Sequence, residues 1–117
     1  MSTTRLRAVD QRTDADLLKD FRDLFQLTLD DVASTGISRA TWARIENGEA
    51  QQHSRGVQQR LQRLRDLMRL VGRMPYTEAR AWATHPLRGV PERSPRDLAR
   101  TVLGLSYLVR HLRLWEE

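Results

Sequence analysis

The side chains that most often carry catalysis or bind metal ions are scattered along this 117-residue chain. The three histidines, His53, His85 and His111, lie far apart and lack the spacing of metal ligands. There is no glycine-rich phosphate loop, no His-Glu-x-x-His motif and no serine elbow. The absence of cysteine excludes disulfide bonds, thiolate catalysis and zinc–cysteine sites. We therefore expect a protein that is not an enzyme and uses neither a cofactor nor a metal ion.

The charge of the chain favours binding chemistry instead. The formal net charge is +5 and the pI is near 10.9, which favours an anionic partner. Residues 1–53 carry seven cations and nine anions, whereas residues 54–117 carry thirteen arginines and six anions. Adjacent acids such as Asp30 and Asp31 fit the start of a helix, where the helix dipole favours negative charge. The positive charge is therefore concentrated in the second half of the chain.

Helical start and stop signals divide the first half of the chain. Residues 1–12 are polar and are interpreted as a flexible arm. Thr13 and Asp16 form a start signal for a helix over Asp14–Phe25. Thr28 with Asp31 opens a short helix that ends at Gly36 and whose inward residues are predicted to be Leu29, Val32 and Ala33. Ser38 caps a third helix through Asn47, with Gly48 as its stop.

The second half is also predicted to be helical. Apolar residues over Gly56–Val71 step by four and three, and a further helix covers about Tyr76–Thr84. Residues 85–93 form a loop, and Ser94-Pro95-Arg96-Asp97 is a strong helix start. One or two final helices carry an apolar stripe formed by Leu105, Leu108, Leu112 and Trp115. No segment alternates with period two, so we predict an all-α fold.

Neither a secretion signal nor a membrane span is expected. The N-terminal residues lack the apolar core of a secretory signal. The longest nearly apolar run, Val102–Val109, is much shorter than the roughly 20 residues that a transmembrane helix needs. These patterns predict a cytoplasmic protein without a membrane partner.

The segment LTLDDVASTGISRATWARIENG, residues 27–48, resembles the helix-turn-helix of the Xre family. The likeness rests on Val32-Ala33, on the turn glycine Gly36, on the cap Ser38, and on Ala43-Arg44-Ile45-Glu46-Asn47-Gly48. Two alignments to the family pattern are possible. In the first, Ala33 takes the position that usually holds a small residue, and the turn is then one residue short. In the second, the spacing to the turn glycine is kept and Val32 takes that position. In the second alignment Asp31 and Thr35 occupy positions that are usually apolar. The resemblance implies a helix-turn-helix over residues 13–53.

A DNA-reading face follows from this resemblance. We expect Arg39, Ala40, Thr41 and Arg44 to contact bases and Ser38 to contact phosphate, with Trp42 and Ile45 facing the core. Alternatively, Arg39 and Arg44 are merely solvated. An acidic cluster opposes tight binding by this half alone, although a second copy or cations from Arg55–Arg73 could compensate. The cluster consists of Asp10, Asp14, Asp16, Asp20, Asp23, Asp30 and Asp31.

The region from about Gly56 to Leu112 resembles the toxin-binding domain of the MbcA/ParS/Xre antitoxins. Three stretches carry the likeness: Glu78-Ala79-Arg80-Ala81-Trp82, Thr84-His85-Pro86-Leu87-Arg88-Gly89 and Ser94-Pro95-Arg96-Asp97-Leu98. The residues expected to shape this domain, residues 54–117, are Trp82, Pro86, Pro95, Asp97 and Leu98. Each also has a simpler interpretation, since Trp82 suits a core and Pro95 with Asp97 suits helix capping.

The second resemblance implies an antitoxin whose C-terminal region covers the active site of a toxin. The toxin would be of the RES-domain or ADP-ribosyltransferase kind, which acts on NAD. The corresponding tail is Val109–Glu117, and its candidate contact residues are Arg110, Arg113, Trp115, Glu116 and Glu117. Alternatively, the tail is a frayed end whose Trp115 packs on the core of the same chain. Operator DNA is the second expected partner. We also expect a homodimer within a toxin–antitoxin hetero-oligomer.

Alternatives remain open from the sequence. The chain could be a stand-alone or phage-type regulator whose C-terminal helices only dimerise, or a structural adaptor that no longer binds DNA. The apolar stripe of Gly56–Val71 could be intramolecular core or a dimer seam. The arginines of Arg55–Arg73 could form a solvated face, contact phosphates, or contact an acidic toxin surface.

Overall fold

The fold is all-α, as the sequence predicts. The structure is a computed structural model that describes residues 13–49, 52–86 and 93–114. In these ranges it contains seven α-helices and no strand. The helices are α1 (Asp14–Phe25), α2 (Leu29–Val32), α3 (Arg39–Glu46), α4 (Arg55–Val71), α5 (Tyr76–Thr84), α6 (Pro95–Ala99) and α7 (Val102–Leu114), with a short 3₁₀ turn at Ala33–Thr35 after α2.

Local capping chemistry explains where most of these helices begin. Thr13, Thr28, Ser38, Ser54 and Ser94 each precede a helix, and each side chain accepts a hydrogen bond from a backbone N–H of the first turn. Thr28 with Asp31, and Ser94 with Asp97, form reciprocal capping boxes. The predicted starts at Thr13, Thr28, Ser38 and Ser94 are therefore confirmed.

Helix α1 lies at the centre of the molecule. It packs against α3, α4, α5 and α6, and its five apolar side chains are buried. The ring of Phe21 lies 5.8 Å from that of Trp42 on α3, and the ring of Phe25 lies 6.1 Å from that of Trp82 on α5. One buried cluster thus contains side chains from residues 13–53 and from residues 54–117, the two predicted domains.

The short helix α2 differs from its prediction. Ala33 is exposed, so its predicted inward position is wrong, whereas Val32 and Thr35 are buried. The chain tightens into the 3₁₀ turn after Val32, and three residues per turn bring Thr35 to the same side as Val32. The Thr35 hydroxyl donates to the Val32 carbonyl at 2.6 Å, which satisfies it in the core.

Helices α6 and α7 approach each other closely at Gly104. A Cβ atom at this position would overlap the carbonyl oxygen of Leu98 and lie 2.8 Å from its Cα. Glycine is therefore required where α7 crosses the end of α6.

The described helices include none that is long and apolar enough to cross a membrane. Several predicted features lie outside the described residues, namely the arm at 1–12, loop residues 87–92 and Trp115.

Candidate functional site

The N-terminal end of α3 presents a contiguous polar face. Ser38, Arg39, Ala40 and Arg44 are exposed, and Thr41 is half-buried. The Ser38 Oγ accepts from the backbone N–H of Thr41 at 3.2 Å, and its hydroxyl donates to Thr41 Oγ1 at 2.9 Å. Four of the five residues predicted to contact DNA therefore lie at the N-terminal end of α3, whereas Arg44 lies in its last turn.

The opposite face of α3 is held in the core. Trp42 and Ile45 are buried, as predicted, and Glu46 beside them is only 7% exposed. Arg22 of α1 donates to both carboxylate oxygens of Glu46, at 2.6 Å and 2.8 Å, and the indole N–H of Trp42 donates to Glu46 Oε2 at 2.5 Å. The hydrogen bond to Glu46 raises the pKa of Arg22. This network fixes the direction in which α3 presents its exposed face.

Sequence analysis missed this network. The usable signal was the position of Glu46, four residues after Trp42 and next to Ile45, on the apolar side of α3. A carboxylate in that position needs a buried cation or donor as its partner. Arg22, 24 residues earlier in the chain, could not be identified from spacing alone.

The candidate base reader Arg39 is engaged within the chain. Its Nη1 lies 2.6 Å from Asp30 Oδ1 on α2, and the two side chains are 61% and 77% exposed. An ion pair this exposed is worth at most about 1 kcal/mol, so another anion can displace Asp30. Asp30 thus places a negative charge directly beside the face on which Arg39 lies.

Three carboxylates of the acidic cluster contact side chains from later in the chain. Asp14 contacts His53 at 3.2 Å and Arg65 at 2.6 Å. Asp31 lies 3.3 Å from Arg100. Asp23 accepts from the Tyr76 hydroxyl and lies 3.8 Å from Arg80. Burial, and then the hydrogen bond to Asp23, raises the pKa of Tyr76. These contacts join the two halves of opposite charge.

Two arginines of the basic helix α4 contact other helices, and a third lies beside an acid of α4 itself. Arg65 pairs with Asp14, Arg63 donates to the Ser106 hydroxyl, and Arg69 lies 3.8 Å from Asp66. Arg60 lies over the turn before α3, where its Cδ would be 2.9 Å from any Cβ added at Gly36. Gly36 itself has φ +98°, a conformation that favours glycine.

The apolar side of α4 is intramolecular core. Leu61, Leu64, Leu67, Met68 and Val71 are buried within the chain. This finding answers the question that the sequence left open about the stripe of Gly56–Val71. That stripe packs within the molecule and is not available as a seam between two copies.

The residues predicted to shape the C-terminal half have distinct places. Trp82 is half-buried against Phe25, Pro95 and Leu98 are buried, and Asp97 closes a capping box. Pro86 is exposed just after α5. Gly48, the predicted stop of α3, has φ +76°, as expected for a residue that ends a helix.

No protein-family model, curated protein or solved structure matches this chain. Among the residues that the structure describes, no three His, Asp or Glu side chains are grouped so that they could hold a metal ion. Residues predicted to bind partners are exposed on two helices, α3 and α7.

The predicted toxin-contacting arginines lie on α7. Arg110 and Arg113 are exposed, and Arg113 Nη2 lies 3.9 Å from Asp66. Together with Leu114 they line an open cavity of about 400 Å³ between α4 and α7. The other three candidates, Trp115, Glu116 and Glu117, lie outside the described residues. Helix α7 packs mainly on α4 and α6, so these arginines belong to a different surface from the α3 face.

Proposed function

We propose that this chain is a non-enzymatic antitoxin that binds operator DNA through α3 and a toxin through its C-terminal region. The observation that carries the proposal is the two-sided character of α3. Its inner side is locked onto α1 through Trp42 and Glu46, while Ser38, Arg39, Ala40 and Arg44 remain exposed on its outer side. A rigidly held helix with an exposed polar N-terminal face suits insertion into the major groove of DNA.

The DNA-binding part interprets α2, the turn at Gly36 and α3 as a helix-turn-helix. In this arrangement Arg39 and Arg44 would reach base edges, and Ser38 would contact phosphate. Arg60, which lies over the turn, would add a cation near the phosphate backbone. Proteins of this kind usually bind two half-sites as dimers, so the proposal includes two copies of the chain on the operator.

The toxin-binding part rests on the resemblance of the second half to MbcA/ParS/Xre antitoxins and on the exposure of Arg110 and Arg113. The toxin would be NAD-directed, of the RES-domain or ADP-ribosyltransferase kind. Trp115 would serve as an apolar anchor in its cleft. Glu116 and Glu117 would pair with the cations that otherwise hold the NAD phosphates.

The DNA-binding part is tested by titrating promoter and scrambled duplexes with the protein at several salt concentrations. Arg39→Ala should reduce discrimination between the two duplexes by about 1–3 kcal/mol. Arg113→Ala is the matched control, because it removes the same charge from an exposed position of α7 and should leave discrimination unchanged. Equal affinity of the wild-type protein for both duplexes would refute operator recognition.

The toxin-binding part is tested by expressing the neighbouring open reading frame with and without this protein. Growth should stop when the neighbour is expressed alone and recover on co-expression. A variant lacking residues 115–117 should fold normally but protect poorly, since Leu105 and Leu108, which anchor α7 in the core, remain. A harmless neighbour contradicts the antitoxin assignment, and full protection by the shortened chain contradicts active-site covering.

A second candidate function is a stand-alone or phage-type regulator. The exposed apolar side chains of α7, Leu103 and Leu114, favour it, because a regulator needs a dimerisation surface but no toxin. The two candidates differ in the co-expression experiment. A regulator binds its operator specifically although no neighbouring gene product is toxic.

A further inference from the structure

The outer side of α7 carries apolar side chains that nothing in the described part of the chain covers. Leu103 is 84% exposed, Leu114 is 69% exposed and Tyr107 is 39% exposed. Arg110, also exposed, lies on the same side of the helix, because positions 103, 107, 110 and 114 are separated by four, three and four residues. Leu105 and Leu108 on the other side are buried. We refer to the four outer residues as the α7 stripe.

The spacing of the α7 stripe is the same in both directions. Its spacing of four, three and four is symmetric, its two ends are leucines, and its centre is one tyrosine and one arginine. The same spacing is that of the a and d positions in a coiled coil. Two copies of such a face can pair in antiparallel orientation through a closed two-fold contact.

We propose that two copies of this chain dimerise through an antiparallel contact between their α7 stripes. The two-fold axis passes between residues 108 and 109 of the paired helices. Leu103 then packs on Leu114 of the second copy, and the ring of Tyr107 faces the guanidinium of Arg110 of the second copy. Each of these contacts occurs twice.

The chemistry of the stripe selects the antiparallel orientation. A parallel pair would place Arg110 against Arg110, and two like charges in a partly buried contact repel each other. The antiparallel pair instead places each arginine against an aromatic ring, which attracts a cation. Beside Leu103 and Tyr107 lies a groove of about 550 Å³ whose lining includes Leu98, Val102 and Gly104, and it offers space for Leu114 of the second copy.

The contact is small. Stable interfaces usually bury more than roughly 1,000 Å², and three exposed side chains from each copy provide less. Residues beside the stripe must contribute, and we expect the dimer to dissociate on dilution. Such a dimer would supply the two reading heads that the proposed operator binding requires. Because it covers Arg110, only Arg113 of the two α7 arginines would stay open to a toxin in the dimer.

The dimer is tested on the full-length protein alone by sedimentation velocity over a wide range of concentrations. The wild type should change from monomer to dimer as the concentration rises. Leu103→Arg and Leu114→Arg should each raise the concentration at the midpoint at least about tenfold, because each places two further charges in the contact. Both positions are exposed, so circular dichroism should show an unchanged fold. Ala81→Arg, at an exposed position of α5, is the matched control and should dimerise like the wild type.

The register is tested by disulfide cross-linking, for which a chain without cysteine offers no background. A mixture of Leu103→Cys and Leu114→Cys chains should form a covalent heterodimer on mild oxidation, with far less cross-linking in either chain alone. Preferential linkage of each chain to its own copy would overturn the antiparallel register. A wild type that stays monomeric would overturn the proposal. Leu103→Arg and Leu114→Arg variants that dimerise like the wild type would also overturn it, even if they protect poorly against the toxin. These outcomes leave the operator titration as an independent test of the proposed function.

Discussion

Glu46 is a carboxylate that the fold buries only because Arg22 and Trp42 supply donors to it. Arg22 binds both of its oxygens, and Trp42 binds one of them. Removing one partner of a buried ion pair leaves the other without compensation, which is destabilising. The network is therefore important for holding α3 on α1, and through α3 for the direction of the proposed DNA-reading face.

Glu46→Gln should lower the free energy of unfolding by about 1–3 kcal/mol, less than for a fully buried pair, because Arg22 is partly open to solvent. Urea denaturation measures this loss. Glu49→Gln, three residues later and exposed, is the control and should change stability by less than about 0.5 kcal/mol. Equal effects of the two substitutions would contradict the structural role of the network.

Asp30→Asn should strengthen operator binding, because it releases Arg39 and removes a negative charge from the reading face. We expect a gain of about three- to tenfold at low salt, which fades as salt screens the charge. Fluorescence anisotropy with a labelled duplex measures it. Glu78→Gln makes the same charge change at an exposed position of α5, and an equal gain there would show that only net charge matters.

At the scale of the helix, the capping boxes of α2 and α6 stabilise the protein to an extent that depends on pH. In each, the carboxylate three residues after the cap accepts the backbone N–H of the cap residue. That hydrogen bond is the main cause of a pKa below the ordinary 3.8 for Asp31 and for Asp97. A lowered pKa in the folded state means that the stabilisation is present above 3.8 and is lost as the pH falls through the lower value.

Asp97→Ala should therefore destabilise the protein by about 0.5–2 kcal/mol at neutral pH, with the difference from the wild type disappearing in acid. Thermal unfolding of both proteins across a pH series measures this effect. Glu78→Ala is the matched control, since Glu78 occupies the same position of α5 but no side chain caps that helix. A pH-independent loss in Asp97→Ala would show that the carboxylate does not act through its charge.

The crossing of α6 and α7 at Gly104 tolerates no side chain. Gly104→Ala should reduce stability by about 2–3 kcal/mol or more, because the added methyl group would overlap the backbone of Leu98. Gly56→Ala on α4 provides the opposite control, since only the Ser54 hydroxyl lies near, at 3.9 Å, and alanine favours a helix. We expect this control to stabilise by up to about 1 kcal/mol in urea denaturation. A harmless Gly104→Ala would contradict the close approach of the two helices.

In the whole molecule, the opposite charges of the two halves form ion pairs with each other. Asp14, Asp23 and Asp31 of the first half lie beside Arg65, Arg80 and Arg100 of the second half. The positive surplus of the second half is thus not simply a surface for DNA. Part of it neutralises the acidic cluster, so the first half need not depend on its own few cations.

The first half should not fold by itself, because α1 is buried against helices that follow residue 53. A fragment of residues 13–53 should lack a cooperative urea transition, whereas the full chain should show one. Circular dichroism measures both. A cooperative transition of the fragment would show that the first half is an independent unit despite the shared core.

The sequence by itself determined the all-α class, the bounds of α1 and α5, and those of α3 and α4 to within one residue. Thr13, Ser38 and Ser94 act on N–H groups only a few residues away, and the apolar spacing of α1 and α4 repeats within a few turns. Such signals are complete within one segment, so no knowledge of the remaining chain is needed to interpret them. The positions of Ser38 and Arg39 at the start of α3, and of Arg44 in its last turn, follow from the same local rules.

Only the tertiary structure decided which distant side chains meet. The pairing of Arg22 with Glu46, the exposure of Ala33, the placement of Arg60 over Gly36 and the use of the α4 stripe as core all depend on how the helices cross. Several arginines could serve each acidic residue equally well in the sequence, because charge attraction carries no information about register. Packing of the apolar faces sets the relative positions of the helices, and those positions then select the partners.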